Sequence, residues 1–487
     1  MYDFQRLNKE QAAICLCVSQ MEKTISLVQK AFNLSDGDTV PIYPPLTDSK
    51  FHQYLDGNGE VIRPMEFRKT VFHGGIEPTL RKVVWKHLLN VYPCGLTAKE
   101  RIAYMKQKGL EYQHLKSIWK DMLATGAVSD EVKYIVNMVR KDVLRTDRTH
   151  AFYAGPDDNA NVVSLFNILI TYALNHPSVS YCQGMSDLAS PILVTMKDEA
   201  HAYVCFCALM HRLKPNFSTD GEAMTLKFQH LTELLEYYDP EFFEYLKERG
   251  ADDILFCYRW LLLELKREFA FDDALHMLEV LWSSIPANPP QHGLPLWEVQ
   301  FNPQTQHLHS RTNPFSKVRT LRKHNSFSAV STNSHLPSDH KTLQRACKSE
   351  DISDIVESSI NLSQGNDSTT SSSISLDAPM QPSTTGNIPT IPEDNVAYKQ
   401  RAPYKLPPPN ELGGGNPFML YICLTILLQH RNTLLRSHMD YNEIAMYFDK
   451  LVRKHNVHQV LHQARTIFKE YLHSGDYDRS WLCDPRV

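Results

Sequence analysis

Residues 129–145 read SDEVKYIVNMVRKDVLR, and this stretch indicates the kind of fold that the chain adopts. Ser129 is a residue type that caps helix N-termini, and the two acidic residues after it favour the first turn of a helix. Apolar residues then recur at intervals of three and four, which places them on one face: Val132, Ile135, Val139 and Val143. The stretch therefore predicts an amphipathic helix that packs against a core.

Two charged residues lie one helical turn apart where this predicted helix ends, namely Asp142 and Arg145. An exposed ion pair at this spacing stabilises a helix by only about 0.2–0.5 kcal/mol. The alternative is an arginine that is held ready for a phosphate carried by another molecule. The spacing alone does not decide between these two interpretations.

The same helical pattern continues on both sides of this stretch, from about 66 to 285. EPTLRKVVWKHLL (77–89) has a proline in its first turn, and NVVSLFNILITYALNHP (161–177) ends at Pro177. Alternation of apolar and polar residues with period two is almost absent. The sequence predicts an all-α fold, with further helices at 188–212, 221–237, 240–248, 252–266 and 271–284.

The composition changes after about residue 286. No aromatic residue occurs between Ser328 and Ala397, and such a stretch buries too little apolar surface to offset its ordering entropy. We therefore predict a disordered Ser/Thr/Pro-rich insert at 287–410. The apolar residues that return at 411–475 predict helices that complete the core begun in the main part, 66–286, followed by a tail at 476–487.

The N-terminal region, 1–65, carries one apolar seam spaced by fours and threes: Ile14, Val18, Met21, Ile25, Val28 and Phe32. This seam predicts an amphipathic helix, but it is too short to indicate a coiled coil by itself. The helix either packs on the neighbouring domain or binds a partner or a second copy.

Several classes of protein are disfavoured by composition and by missing motifs. The net charge of −4 lacks the basic footprint of a nucleic-acid-binding protein. Neither a phosphate-binding loop nor a metal-ligand spacing among the 22 histidines is present, and the ten cysteines include no C-x-x-C. The apolar run at 417–428 is too short for a membrane span and predicts a buried helix. We expect a cytoplasmic protein with reduced thiols, no transmembrane segment, and no metal or nucleotide of its own.

A second segment, SYCQGMSDLASP (180–191), predicts a turn between two helices. Gln183 places an amide that both donates and accepts hydrogen bonds on this turn. Gly184 follows it and allows another chain to approach the backbone closely.

Together these segments resemble the TBC family, the domains that activate Rab small GTPases. The resemblance rests on HGGIEPTLRKVVWKHLL, VRKDVLRTDR, SYCQGMSDL and WLLLELKREFAFDDALHMLEVLW, which occur in the family's order. Val139, Asp142 and Arg145 match the family's I-x-x-D-x-x-R motif with valine for isoleucine, and residues 181–184 match Y-C-Q-G. One departure is Ser283 after Trp282, where the family often has aspartate.

The resemblance implies a GTPase activator that supplies two catalytic residues to a Rab. Arg145 would stabilise charge on the phosphates and Gln183 would orient the attacking water. Asp142, Tyr181 and Gly184 would support them. GTP and Mg²⁺ would arrive with the partner GTPase, so that the chain would need no cofactor of its own.

Four further residues near the motifs have a structural and a functional interpretation. Trp85 is expected in the core, and Arg81, four residues earlier, is either structural or faces a partner. Arg148 pairs with Asp147 or an acidic partner, or is simply solvated. Asp187 either caps a helix or makes a contact, and the charged run ELKRE (264–268) is expected to be solvated.

The insert and the resemblance together suggest how the protein is regulated. Ser326 and Ser349 follow basic residues and are candidate phosphosites that could dock a partner; an unmodified linker is the alternative. YCQGMSDLASPIL is most similar to an ornithine-aminotransferase-like family member associated with autophagosomes, which implies membrane trafficking, peripheral recruitment to vesicle or autophagosome membranes and autophagy-adaptor partners. The competing interpretation is a catalytically weak Rab-binding scaffold that acts through the N-terminal helix and the insert.

Overall fold

The computed structural model describes residues 43–126, 128–305 and 406–474, and these residues form helices joined by turns. Within them the extended backbone is limited to two isolated bridges, Leu46 with Ile76 and Leu55 with Val61. The predicted all-α fold is confirmed. The α-helices of the described residues, in chain order, are α1 (Asp48–His52), α2 (Pro64–Gly74), α3 (Arg81–Leu88), α4 (Ala98–Thr125), α5 (Asp130–Val143), α6 (Ala160–Asn175), α7 (Met185–Met196), α8 (Glu199–Leu213), α9 (Glu222–Tyr238), α10 (Pro240–Glu248), α11 (Tyr258–Leu262), α12 (Phe271–Ser283), α13 (Pro417–Ser437), α14 (Tyr441–Lys450) and α15 (Val457–Ser474).

Helix α6 lies at the centre of the N-terminal half. It packs against α4, α5, α7 and α8, and 11 of its 16 residues are buried. A helix that is apolar on nearly all sides has to be enclosed by others. The stripe of valines and isoleucine on α5 is turned toward this centre, as the spacing predicts: Val132, Ile135, Val139 and Val143 are all buried.

The helices after the insert pack on helices that precede it. Helix α13 contacts α9, α10 and α15, and α15 contacts α12. The Tyr245 hydroxyl of α10 donates to the carbonyl of Leu434 at 2.8 Å, and the rings of Phe72 and Phe418 lie 4.8 Å apart. Among the described helices only α13 is long and apolar enough to cross a membrane, and 67% of that apolar window is buried by the rest of the fold.

The predicted helix at 188–212 is two helices, α7 and α8. The chain turns at Lys197, whose φ is 52°, and the Asp198 carboxylate then caps α8 by accepting from the N–H of His201 at 2.7 Å. Helical spacing is similar on both sides of the break, so the apolar pattern alone does not reveal it.

The prediction of one helix at 252–266 is mostly wrong. A 3₁₀ turn (Leu255–Cys257) and the short α11 are followed by an irregular turn in which Glu264 and Leu265 have positive φ. The expectation that ELKRE is solvated is also wrong, because Glu264, Lys266 and Glu268 are buried. The turn directs these charges inward, where each one has a partner of opposite charge, and a buried charge needs such a partner.

Several predicted features lie outside the described residues. These are the N-terminal helix, the tail and most of the insert, including the candidate phosphosites Ser326 and Ser349. They stay predictions. The predicted start of the disordered insert at 287 is wrong, because residues 287–305 are ordered against the fold: Leu294 and Leu296 are buried, and the Phe301 N–H donates to Asn175 Oδ1 at 2.9 Å.

Candidate functional site

Asp142 and Arg145 form an ion pair with one buried and one exposed partner. The Asp142 side chain is 2% exposed, whereas the Arg145 side chain is 58% exposed on the turn after α5. Arg145 donates from Nε and Nη2 to Asp142 Oδ1 at 3.1 and 3.0 Å. This is not the exposed pair of the first interpretation, because the carboxylate belongs to the core and the guanidinium projects from it.

The second oxygen of Asp142 binds the turn that precedes α7. Asp142 Oδ2 accepts from the Tyr181 hydroxyl, from the Gly184 N–H at 2.9 Å and from the Ser186 hydroxyl at 2.9 Å. Thr146 adds a bridge, since its hydroxyl lies 2.7 Å from that of Ser186. One buried carboxylate therefore joins the end of α5 to the turn at 181–186.

Gln183 lies on this turn with its side chain exposed. No hydrogen bond of its side-chain amide is found within the part of the chain that the structure describes. Gly184 shapes the turn: its φ is 98°, and a Cβ there would lie 3.0 Å from Leu263 Cδ2. Only glycine adopts this backbone geometry without strain and fits the space.

Buried groups beside Asp142 are held in their protonated forms. Burial, reinforced by the Asp142 charge, raises the pKa of the Tyr181 hydroxyl well above its usual range. The same two causes raise the pKa of the Cys182 thiol to about 12. Tyr181 therefore stays a hydrogen-bond donor, and Cys182 stays an unreactive thiol at neutral pH.

Asp187 belongs to a buried ion-pair network and is not a helix cap. It accepts from Lys266 Nζ at 3.1 Å and from Arg267 Nε at 3.0 Å, and the same lysine donates to Asp147 at 2.5 Å. Burial alone would raise the pKa of Asp187, but Lys266 and Arg267 outweigh it and hold the pKa below its usual value. The sequence did not predict the contacts of Lys266 and Arg267, because no sequence pattern indicates the irregular turn that buries most of residues 264–268.

Arg81 and Trp85 meet a different buried carboxylate, that of Glu279 on α12. Arg81 Nε donates to Glu279 Oε2 at 2.9 Å, Trp85 Nε1 donates to the same oxygen at 3.2 Å, and the N–H of Ile76 donates to Oε1 at 2.9 Å. Trp85 is fully buried, and the Arg81 side chain is 14% exposed. Arg81 is therefore paired within the fold. The sequence feature that could have indicated a buried role for Glu279 is its position as a single acidic residue within the apolar run of α12.

Arg148 is paired, although not with Asp147. It donates to Asp157 Oδ1 at 3.2 Å and to the carbonyl of Gly155 at 2.5 Å, which closes the loop before α6. Ser283, at the position of the family's aspartate, donates to the carbonyl of Val280 at 2.7 Å. Within the described ranges no group of three or more His, Cys, Asp or Glu could hold a metal ion.

Comparison with known proteins shows the family to which the chain belongs. The Rab-GTPase-TBC domain family matches residues 78–289. The human protein TBC1 domain family member 25 is 44% identical over 512 residues, 95% of this chain and 74% of the relative. The mouse protein of the same name is also 44% identical, over 95% of this chain and 68% of the relative. The crystal structure of the Ypt/Rab-GAP domain of Gyp1p shares the fold with a TM-score of 0.52 at 15% identity, covering 88% of this chain and 98% of that one.

Proposed function

This chain belongs to the TBC-domain family of Rab GTPase-activating proteins, and on that premise we propose that it accelerates GTP hydrolysis on a Rab through Arg145 and Gln183. One observation carries the proposal. The exposed guanidinium of Arg145 and the turn that presents Gln183 are both anchored to the buried carboxylate of Asp142. A shared anchor fixes the positions of Arg145 and of the turn that carries Gln183 relative to each other.

Arg145 suits the stabilisation of phosphate charge. GTP hydrolysis moves negative charge onto oxygens between the β- and γ-phosphates, and an arginine supplied in trans accelerates this by about 10³–10⁵. That factor corresponds to roughly 4–7 kcal/mol of barrier. Asp142 holds Nε and Nη2 of the planar guanidinium, which orients the rest of its donors outward. Asp142 is a positioning residue in this scheme and not a general base.

Gln183 suits the orientation of the attacking water. A neutral amide accepts one hydrogen bond from the water and donates another to an adjacent oxygen. The Gly184 N–H and the Tyr181 hydroxyl hold the turn on both sides of Gln183, so the backbone that carries the amide is fixed. We propose that GTP and Mg²⁺ arrive with the GTPase and that this chain contributes no cofactor.

The cellular setting follows only from similarity and is part of the proposal. Its relatives carry the name of a TBC1 family member, and the resemblance implies action in membrane trafficking. We propose a cytoplasmic activator that is recruited to vesicle or autophagosome membranes. The narrower ornithine-aminotransferase-like identification, the autophagy-adaptor partners and the phospho-dependent partners stay predictions.

Single-turnover phosphate release from a panel of GTP-loaded Rabs tests the mechanism. At least one Rab is expected to be accelerated by the wild type. Arg145→Lys and Gln183→Ala are each expected to remove most of that acceleration, and Arg145→Lys to lower it by about 10³ or more. Binding to the GTP-loaded Rab is expected to persist in both variants.

Arg140→Lys is the matched control, because Arg140 is exposed on the same helix but has no part in the Asp142 cluster. Its activity is expected to equal that of the wild type. A wild type that binds Rabs without accelerating any of them would support the scaffold function instead. A chain that binds no Rab would indicate a helical adaptor for other partners.

A further inference from the structure

The turn between α14 and α15 runs beside the segment that carries the buried ion-pair network. Its Arg453 has a φ of 63°, and the Arg453 N–H donates to the carbonyl of Arg267 at 3.0 Å. Two residues later the N–H of His455 donates to the carbonyl of Glu268 at 3.4 Å. Two main-chain hydrogen bonds therefore attach a segment from beyond the insert to the segment from before it.

The side chain of Arg453 reaches the turn that carries Arg145. Arg453 Nη2 donates to Asp147 Oδ1 at 3.0 Å, and Nη1 donates to the Thr149 hydroxyl at 3.2 Å. Asp147 is only two residues after Arg145. The Arg453 guanidinium thus binds two residues of the turn at 145–149.

Asp147 is the anchor of that turn and draws its partners from three parts of the chain. It is 4% exposed and has a φ of 49°, in the left-handed region that aspartate enters more often than most other residues with a side chain. Its Oδ2 accepts from Lys266 Nζ at 2.5 Å and from the Ser190 hydroxyl at 2.7 Å, while Arg453 binds Oδ1. Lys266 binds both Asp147 and Asp187, whereas Arg453 binds Asp147 and not Asp187.

The exposure of Arg453 separates its effect on geometry from its effect on stability. Its side chain is 44% exposed, and ion pairs with such a partner contribute modestly to folding because water screens them. Catalytic geometry is more sensitive, since a displacement of about 1 Å can reduce a rate about 10²-fold.

We propose that Arg453 is a positioning residue for Arg145: it fixes the turn at 145–149 from beyond the insert, so the catalytic arrangement is complete only when the C-terminal helices are docked. This proposal rests on the proposed function. It adds that Arg453, more than 300 positions away from Arg145 in the sequence, controls the maximal rate of GTP hydrolysis without contacting the phosphate.

The test uses the full-length chain with Arg453→Ala, Arg453→Lys and a matched control, Arg431→Ala. Arg431 also lies after the insert and pairs with two acids before it, Asp239 and Glu241, but it has no contact with the network. Single-turnover rates are measured against increasing activator concentration, which gives the maximal rate and the half-saturating concentration. Melting temperatures are recorded for every variant.

Arg453→Ala is expected to lower the maximal rate about 10- to 100-fold with an unchanged half-saturating concentration and a melting temperature like that of Arg431→Ala. Arg453→Lys, which keeps the charge beside Asp147, is expected to recover part of that rate. A maximal rate equal to that of Arg431→Ala overturns the proposal. A raised half-saturating concentration with an unchanged maximal rate also overturns it, because it identifies a direct contact with the GTPase.

Amide hydrogen exchange on the free protein gives a readout that needs no GTPase. The amides of Arg145, Thr146 and His150 donate within the turn, and Arg453→Ala is expected to speed their exchange at least tenfold while Arg431→Ala leaves them unchanged. Unchanged exchange in Arg453→Ala overturns the anchoring. If the wild type accelerates no Rab, the proposed function and the catalytic part of this proposal both fail, and exchange still decides whether Arg453 anchors the turn.

Discussion

Asp142 illustrates how one residue links two motifs that lie about 40 positions apart. Its Oδ1 accepts from Arg145 and its Oδ2 accepts from Tyr181, Gly184 and Ser186. The spacing of Asp142 and Arg145 allowed an ion pair in the sequence analysis but did not decide between that pair and a phosphate-binding arginine. The contacts of Asp142 with residues 181–186 were known only from the fold. Hydrogen bonds between segments that are distant in the chain produce no periodic pattern in the sequence.

Gly184→Ala tests the close approach at the glutamine turn. The new Cβ would lie 3.0 Å from Leu263 Cδ2, and the left-handed backbone adds about 1–2 kcal/mol of strain. We expect a lower free energy of unfolding and a loss of GTPase activation, because Gln183 moves with its neighbour. Urea unfolding and single-turnover phosphate release measure the two effects.

Gly155→Ala is the control for this substitution. Gly155 has almost the same φ, 97°, but nothing lies within 4 Å of its would-be Cβ. Gly155→Ala should therefore change the free energy of unfolding through backbone strain alone, without a contact like that between the new Cβ at 184 and Leu263. Equal activity loss in both variants would contradict a specific role for the space beside Leu263.

At the scale of elements, the sequence predicted helices well and their interruptions poorly. Helices α5, α6, α9, α10 and α12 lie where apolar spacing places them, within a few residues. The breaks at Lys197 and at Glu264–Leu265 were missed, because each needs a positive φ at a residue other than glycine. Buried charges decide the second break, and burial is a property of the packed fold.

Glu279→Gln tests the junction of α2, α3 and α12. Its buried carboxylate accepts from Arg81, Trp85 and the N–H of Ile76, and hydrogen bonds to a charged group contribute about 1.5–3 kcal/mol. We expect a fall of about that size in the free energy of unfolding, with the maximal rate of GTPase activation preserved, since neither Arg145 nor Gln183 contacts this junction. Urea unfolding and single-turnover kinetics measure both.

Glu244→Gln is the matched control, since Glu244 is an exposed glutamate paired with Lys247 one turn away. Its free energy of unfolding is expected to change by less than about 0.5 kcal/mol. A maximal rate that falls with Glu279→Gln would contradict the structural role and place Arg81 in the catalytic site.

At the scale of the whole molecule, neutral histidines that are buried or half-buried couple stability to pH. Burial is the main cause that lowers the pKa of His87 to about 3 and the pKa values of His176 and His455 to about 4. The unfolded chain has histidine pKa values near 6.5. Below pH 6.5 the unfolded state therefore binds more protons than the folded state, and stability is lost as the pH falls toward 4.

We expect the free energy of unfolding to decrease between pH 6.5 and pH 5, by up to about 1.4 kcal/mol per pH unit for each of these histidines. Urea unfolding at pH 7, 6 and 5 measures the slope. His455→Gln should reduce it, because it removes one of the groups that bind a proton more readily in the unfolded chain. A free energy of unfolding that does not change over this range would contradict the buried neutral state.

The sequence by itself determined the helical fold class, the end of α5 at the Asp142–Arg145 pair and the candidate pair Arg145 and Gln183. The fold class and the helix end follow from local periodicity and helix-end chemistry, which depend on neighbouring residues. The candidate pair follows from the resemblance of its motifs to the TBC family. Only the tertiary structure decided that Asp142 is buried, that Arg81 pairs with Glu279, and that Lys266 and Arg453 both pair with Asp147 on the turn of Arg145. The physical reason is that a buried charge is stabilised by the partners that the fold brings to it, and here such partners include the Gly184 N–H, 42 positions from Asp142, and Arg453, 306 positions from Asp147.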